Sequence, residues 1–101
     1  MKKDYLDAGL KLEKLMLSEL LYIEGARDYR RICCKGKSFK TLDTFGELEK
    51  QLPASRFIRV HKSYLVALDK IDSFEKDMIT IANRLIPVSD TYKKALLSRM
   101  Q

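Results

Sequence analysis

Basic side chains gather in three separate stretches of the sequence. The stretches cover residues 27–40, 56–62 and 93–99, and their basic residues are Arg27, Arg30, Arg31, Lys35, Lys37, Lys40, Arg56, Arg59, His61, Lys62, Lys93, Lys94 and Arg99. Arginine and lysine bind phosphate oxygens, and they also pair with the O6 and N7 acceptors of guanine in the major groove of DNA. If the three stretches converge on one face of the folded chain, their chemistry favours a nucleic-acid partner.

The overall charge points in the same direction. The chain has 101 residues, with 20 Lys and Arg against 14 Asp and Glu, a net charge of +6 and a pI of about 9.4. This balance favours an anionic partner, which is a nucleic acid, an acidic membrane surface or an acidic protein. Charge alone does not choose among them, because most charged side chains simply form a solvated surface.

One domain with a packed core is the expected organisation. Hydrophobic residues make up 46% of the chain, which is too many for a disordered segment, and 101 residues correspond to one domain. The longest unbroken apolar run, residues 64–68, has five residues, whereas a transmembrane helix needs about 20. Asp4 and Asp7 follow the opening Met-Lys-Lys where a secretory signal needs an apolar segment. The sequence therefore predicts a cytoplasmic protein with no membrane partner.

The sequence gives little support for catalysis. The only histidine, His61, is close to Ser63, but the stretch around them is basic and contains no carboxylate to orient the imidazole. The motifs GxSxG, GxGxxG, HExxH and the P-loop are absent from the sequence. We predict no enzymatic activity and no cofactor.

The two cysteines, Cys33 and Cys34, are adjacent. Consecutive residues on a strand point to opposite faces, so a disulfide between them would strain the backbone, and two cysteines are too few for a zinc site. We expect one thiol to pack as a small apolar group and the other to face outward. Free thiols are typical of the reducing cytosol.

Short apolar runs separated by turn residues predict a mainly β domain. The first run reads as one long strand over residues 10–17, with a bulge at 13–14 and a short partner strand at 5–6. Further strands are predicted at 20–23, 29–35, 38–42, 57–60, 64–68, 71–75, 78–82 and 85–88, with turns at 35–37, 76–77 and 83–84. Pro87 places the last strand at a sheet edge or end.

Two helices complete the predicted set of elements. Thr44 and Glu47 have the spacing of a capping box and predict a short internal helix over 44–51, which Pro53 ends. Ser89 is a favourable N-cap and Asp90 suits a first helical turn, so a second helix is predicted at the C-terminal end.

Three segments together resemble the LytTR DNA-binding domain of bacterial response regulators. Residues 20–25, LLYIEG, resemble the family's I-x-Y-I-E-A/S signature. Leu52-Pro53 with residues 57–66, FIRVHKSYLV, is similar to the family's LP…F-x-R-[IV]-H-[KR]-S-Y-L-V segment. Residues 86–89, IPVS, and 92–94, YKK, are similar to its closing I-P-V-S…Y-K-K. The resemblance extends from about residue 10 to the end of the chain.

The resemblance implies both a fold and a function. The fold would be an elongated β-sandwich of small antiparallel sheets with little helix. The function would be sequence-specific binding of double-stranded promoter DNA through loops that enter successive major grooves, with two copies on direct repeats. Response regulators also carry a receiver domain, which this chain is too short to hold. We therefore expect a fragment of a longer regulator, or a member that stands alone.

Carried over residue by residue, the resemblance assigns DNA contacts to three segments. The first is a loop after Glu24, the second is a turn after the strand that bears Arg59, and the third begins the C-terminal helix. The residues are Arg27, Asp28, Tyr29, Arg30, Arg59, His61, Lys62, Ser63, Ser89, Asp90, Tyr92 and Lys93. Arg59 either binds phosphate or pairs with an acid such as Glu24. Glu24 is expected to hold the first loop by accepting backbone N–H groups rather than to read a base.

Two positions depart from the family pattern. Ala67 stands where the family often has Asn, and Asp90 stands where many members carry an Arg that reads a base. A carboxylate cannot pair with guanine O6 and N7, although it can accept from the cytosine amine. Either the target differs there, or Asp90 serves as a helix-start residue.

Two competing hypotheses remain at the level of sequence. One is a protein-interaction module of the same fold that has lost DNA binding, which the departures at Ala67 and Asp90 favour. The other is a basic domain that binds a membrane surface or RNA, which the net charge alone would satisfy.

Overall fold

The computed structural model describes residues 5–8 and 13–101, which form ten strands and two helices within those ranges. The strands are β1 (Tyr5–Ala8), β2 (Glu13–Met16), β3 (Leu20–Gly25), β4 (Arg30–Cys34), β5 (Lys37–Thr41), β6 (Phe57–His61), β7 (Tyr64–Ala67), β8 (Ser73–Glu75), β9 (Met78–Ile81) and β10 (Arg84–Pro87). The helices are α1 (Phe45–Gln51) and α2 (Asp90–Arg99), and short 3₁₀ turns cover Leu17–Glu19 and Leu68–Lys70.

The strands form three antiparallel sheets. The central sheet has the order β5-β4-β3-β7-β6, and the smaller sheets are the pair β1-β2 and the triplet β10-β9-β8. Most neighbouring strands are joined by short hairpin turns. The pairing of β3 with β7 joins two hairpin units into one sheet, with Tyr22 opposite Val66 and Glu24 opposite Tyr64.

Both faces of the central sheet are buried. Tyr22 and Ile23 are consecutive, so their side chains point to opposite faces, yet each is almost fully covered. On one face, Ile23 packs with residues of β1, β2 and α1, including Leu48, and we call this the first core. On the other face, Tyr22 packs with residues of β9, β10 and α2, including Leu96, and we call this the second core. The expected mainly β sandwich with one internal and one C-terminal helix is confirmed, with three layers of elements.

The three-layer packing corrects the prediction for the cysteines. Cys33 belongs to the second core and Cys34 to the first, and both are buried. Neither thiol faces outward, because a small layer covers each side of β4. Burial raises the pKa of both thiols, that of Cys34 to about 11, so both remain protonated and poorly reactive near neutral pH.

Tight turns lie close to where the sequence predicts them. Gly36 closes the β4–β5 hairpin with a φ of +80°, and Lys76 and Asp77 close β8–β9 with φ values of +52° and +60°. Two consecutive positive φ values match the twist of a tight hairpin. The next turn consists of Ala82 and Asn83, one residue earlier than predicted. Pro87 lies on β10, an edge strand, as predicted.

The two helices begin differently. The predicted capping box of α1 is present: Glu47 N–H donates to Thr44 Oγ1 at 3.1 Å, and Thr44 N–H donates to Glu47 Oε1 at 2.9 Å. Ser89 occupies the N-cap position of α2, but its side chain makes no capping hydrogen bond, contrary to the prediction. Asp90 is the first helical residue, where a carboxylate is favourable to the helix dipole.

The prediction of one long N-terminal strand is wrong at its end. Leu17 lies in a 3₁₀ turn, and the register of β2 against β1 is regular from Glu13 to Met16, with no bulge at 13–14. Leu15 and Leu17 are both buried in the first core. Leu10 and Leu12 lie outside the described residues. The short partner strand is confirmed, with Leu6 opposite Leu15.

Across residues 5–8 and 13–101, neither helix has the length and apolar content needed to cross a bilayer.

Candidate nucleic-acid interface

Two of the three predicted segments emerge at the same end of the central sheet. The first loop, residues 26–29, follows β3, and the second turn, residues 62–63, precedes β7. Because β3 and β7 are antiparallel neighbours with Glu24 opposite Tyr64, the loop and the turn lie side by side. Gly25 N–H donates to the Ser63 carbonyl at 2.7 Å, which joins them directly. We call this the loop end of the sheet.

The third segment, residues 89–93, reaches the loop end from β10. Ser89 N–H donates to the Val60 carbonyl at 3.0 Å, so the first turn of α2 lies beside the last residues of β6. The start of α1 is also there, because a Cβ added to Gly25 would lie 3.1 Å from Phe45 Cε2. The glycine at this position therefore permits a close approach between β3 and α1. The structure brings all three predicted segments together.

Arg59 connects the elements at the loop end. Its Nε donates to the His61 carbonyl at 2.9 Å, and Nη2 donates to the Lys62 carbonyl. Nη1 lies 3.3 Å from Glu49 Oε1 of α1. The guanidinium carbon is 4.1 Å from the ring centre of Phe45 and 5.8 Å from that of Tyr92. Of the two roles left open by sequence, pairing with an acid is present, and the acid is Glu49 rather than Glu24.

The second turn is fixed by His61 as well. Ser63 N–H donates to His61 Nδ1 at 3.0 Å. A backbone amide only donates, so Nδ1 carries no proton in this arrangement and the ring proton lies on Nε2. The ring meets Tyr64 edge to face, with centres 5.7 Å apart. Lys62 is exposed at the tip of the turn, with its backbone held on both sides.

The first loop is less constrained at its tip. Ala26 N–H donates to the Tyr29 carbonyl at 2.8 Å, which closes the loop, while Arg27 and Asp28 are exposed. Arg30 points away from the tip, because its Nε and Nη2 donate to the carbonyls of residues 43 and 42 at 2.8 and 3.3 Å. Tyr29 is half-buried, and its hydroxyl accepts from Arg31 Nη2 at 3.0 Å.

The third segment contains an ion pair that sequence reasoning missed. Lys93 Nζ lies 2.7 Å from Asp77 Oδ1, in the turn between β8 and β9. The hydrogen bond and the charge of Asp77 raise the pKa of Lys93. Asp90 is exposed and Tyr92 is half-buried beside Arg59. The ammonium of Lys93 is therefore partly neutralised by the protein itself.

Two further assignments from sequence are corrected. The carboxylate of Glu24 lies 3.6 Å from Arg31 Nε and 3.7 Å from Arg84 Nη2, so it pairs with two arginines rather than with backbone N–H groups. Ala67 is 1% exposed within the first core. The presence of Ala at this position, where the family often has Asn, therefore changes the interior of the domain and leaves the exposed part of the loop end unaltered. No grouping of three or more His, Cys, Asp or Glu in the described part of the chain is arranged to hold a metal ion.

Comparison with known proteins identifies the family. Residues 11–101 match the sequence model of the LytTr DNA-binding domain. The chain belongs to the LytTR family. The resemblance in the motifs is thereby confirmed, and the family consists of DNA-binding domains rather than enzymes, in agreement with the prediction of no catalysis.

Two curated relatives match this chain over part of their own length. One is the CO-responsive transcriptional regulator RcoM of Rhodospirillum rubrum, 33% identical over an alignment that covers 87% of this chain and 40% of the relative. The other is the sensory transduction protein LytT of Bacillus subtilis, 38% identical over 58% of this chain and 27% of the relative. The chain thus spans less than half the length of either protein.

A solved structure shows the same fold. It is a LytTr DNA-binding domain of a response regulator from Bacillus cereus, and it superposes with a TM-score of 0.87 over 97% of both chains. The sequence identity is 20%, so the likeness concerns the arrangement of sheets and helices. The family assignment makes this chain a DNA-binding domain, and the solved structure agrees with it in fold.

Proposed function

We propose that this LytTR domain binds double-stranded DNA sequence-specifically, with its loop end facing successive major grooves of a promoter. One observation carries the proposal: segments far apart in the sequence meet at one end, through the Gly25–Ser63 and Ser89–Val60 hydrogen bonds. Each segment presents exposed polar or charged side chains there, which is the arrangement that groove reading by loops requires.

Within this proposal the predicted residues divide into two groups. The exposed side chains of Arg27 and Lys62 contact bases or phosphates directly, and the exposed carboxylates of Asp28 and Asp90 accept from base amines. The remaining residues, most of which make protein contacts, position the segments or add phosphate contacts through a free polar atom: Tyr29, Arg30, Arg59, His61, Ser63, Ser89, Tyr92 and Lys93. Phosphate contacts set the register on the duplex, and base contacts set the sequence preference.

We further propose that the domain is the output module of a cytoplasmic response regulator. A receiver domain in the longer protein would control it, and two copies would occupy direct repeats in promoter DNA. Support comes from the relatives, which are a transcriptional regulator and a sensory transduction protein, both longer than this chain.

A protein-interaction module without DNA binding is the alternative. Asp90 supports it, because an exposed carboxylate at the start of α2 repels phosphate. Ala67 does not, because it is buried in the first core.

The experiment is selection of genomic DNA fragments by the 101-residue chain, followed by sequencing and a salt titration of the recovered site. We expect one enriched motif and at least about a thousandfold preference for it over random duplex, which is the low end for specific DNA-binding proteins. Equal affinity for the motif, random duplex, RNA and heparin would support a nonspecific basic domain. No DNA binding at low salt would favour the protein-interaction module.

A further inference from the structure

A second cationic surface lies next to the first loop, on the sheet face that carries the second core. Glu24, Arg31 and Lys40 are direct cross-strand neighbours on β3, β4 and β5, so their side chains form a row on one face. Strand β10 passes over the same face and adds Arg84. We call Arg31, Lys40 and Arg84 the strand-face cluster.

The cluster has an excess of positive charge. The carboxylate of Glu24 is shared between Arg31 Nε at 3.6 Å and Arg84 Nη2 at 3.7 Å. Lys40 has no acidic partner in the described part of the chain, and its ammonium lies 4.8 Å from the ring centre of Tyr29. Three cations therefore face one carboxylate, which leaves an excess of positive formal charge on this face.

The cations are held in place but remain open to solvent. Arg31 donates to the Tyr29 hydroxyl at 3.0 Å and to Ser38 Oγ at 3.3 Å. The Arg84 side chain is 59% exposed and its guanidinium lies 5.8 Å from the ring centre of Tyr22. Stacking on aromatic rings orients a cation without neutralising it. The geometry is that of a preorganised site for a polyanion.

The cluster is continuous with the loop end. Tyr29 belongs to the first loop and touches both Arg31 and Lys40. From Arg84, strand β10 runs across the sheet face to Ser89, which begins the third segment. A duplex lying against the loop end would therefore have its backbone close to the strand-face cluster.

We propose, on the basis of the DNA-binding function proposed above, that the strand-face cluster binds backbone phosphates of the same duplex, outside the contacts of the three segments. The cluster supplies affinity that is independent of sequence, because phosphates carry no base information. Glu24 limits this affinity by neutralising part of the charge of Arg31 and Arg84.

The test removes two positive charges from the cluster and compares the resulting change in DNA affinity with the change caused by removing two positive charges elsewhere. The test variant is Lys40→Gln with Arg84→Gln. The control is Lys35→Gln with Lys37→Gln, two exposed lysines of the same β4–β5 hairpin at the opposite end of the sheet. Lys37 also lies on the other sheet face, because it is opposite Cys34 of the first core. Affinity for the selected duplex is measured by fluorescence anisotropy from 50 to 300 mM salt.

We expect the test variant to lower the slope of log affinity against log salt by about 2 and the affinity at 0.15 M about thirtyfold, since each lost phosphate contact changes the slope by about 0.9. The ratio of specific to random binding should stay the same. The control should change affinity less than about threefold, because screening limits charge effects to about 8 Å at this salt. Equal slopes in the test variant and the wild type would overturn the proposal.

A gain of affinity gives an independent test. Glu24→Gln removes the neutralising charge while keeping the shape of the side chain, and it should tighten binding to both specific and random duplex. Such a gain cannot result from misfolding. Unchanged or weaker binding by a variant with a wild-type melting temperature would contradict the role given to Glu24. A wild-type chain that binds no duplex would refute the proposed function itself. Duplex binding that depends on the three segments but is unaffected by changes in the strand-face cluster would refute only the role proposed for the cluster.

Discussion

The second turn and the first loop lie side by side at the loop end, but they are constrained to different degrees. The second turn has its carbonyls bound by Arg59, and the Ser63 amide bound by the His61 ring. The tip of the first loop is closed by one backbone hydrogen bond, with Arg27 and Asp28 exposed beyond it. Two neighbouring segments of one surface therefore differ in how firmly the backbone holds their exposed side chains in position.

The difference indicates different roles for the two segments. A side chain that reads a base must lie within a few tenths of an ångström of its hydrogen-bonding position, so it benefits from a fixed backbone. A side chain that binds phosphate tolerates a mobile backbone, because phosphate oxygens accept from many directions. We infer that Lys62 contributes more to sequence preference and Arg27 more to general affinity.

Substitution of Arg59 should have the largest effect. Arg59→Ala removes the donors to His61 and Lys62 and leaves Glu49 without this partner, so the second turn loses its fixed conformation. We expect specific binding to weaken more than on substitution of Lys62, and stability to fall by about 1–3 kcal/mol, which is typical for loss of a half-buried network. Anisotropy and thermal unfolding measure the two effects.

Arg59→Lys separates charge from geometry. A lysine keeps the charge, but its single ammonium cannot bridge two carbonyls and a carboxylate as the guanidinium does. We expect little rescue of specific binding. Full rescue by lysine would mean that Arg59 acts as a phosphate contact and does not position the turn.

Lys62→Ala is expected to weaken specific binding by about 1–3 kcal/mol and to reduce the preference for the selected motif over its single-base variants. The exposed side chain at the tip of a fixed turn is the reason. Competition binding with a panel of motif variants provides the measurement. An unchanged preference with a salt slope smaller by about 1 would instead make Lys62 a phosphate contact.

Local signals in the sequence predicted much of the fold. The capping box of Thr44 and Glu47 involves residues three apart, and the turn at Lys76 and Asp77 needs only a local choice of φ. Features of this kind are decided within a few residues, so a single sequence is sufficient to find them. The convergence of the three segments followed from the family resemblance, and no local signal in this chain would have shown it.

Features that depend on distant parts of the chain were not predictable in the same way. The burial of both cysteines needs two layers, one on each side of β4, and each layer comes from another part of the chain. The pairing of Arg59 with Glu49 and of Lys93 with Asp77 joins residues ten or more positions apart on different elements. Charge patterns show that partners exist, but only the packing decides which one is within reach.

Arg27→Ala tests the first loop and should have a smaller effect than Lys62→Ala. An exposed arginine at a loosely held tip is expected to contribute about 1 kcal/mol or less, mostly as a loss of slope in the salt titration. Affinities for the motif and for random duplex should fall together. A selective loss of motif binding would show that the two segments are more alike in function than their backbone constraints indicate.

Asp77→Asn should have the smallest effect, and it should be a gain. Asp77 has a φ of +60°, which asparagine adopts readily, so the β8–β9 turn is expected to stay intact. The substitution releases Lys93 from its carboxylate, and the freed ammonium can bind phosphate, so affinity for duplex DNA should rise about two- to fivefold. Because the hydrogen bond and charge of Asp77 raise the pKa of Lys93, the stability that the ion pair contributes is present throughout the neutral range and is lost as the pH rises through that elevated pKa. The gain should therefore be equal at pH 6 and pH 8.

A gain confined to one end of that range would point to a titrating group other than Lys93. A loss of affinity would mean that the ion pair orients the third segment for binding.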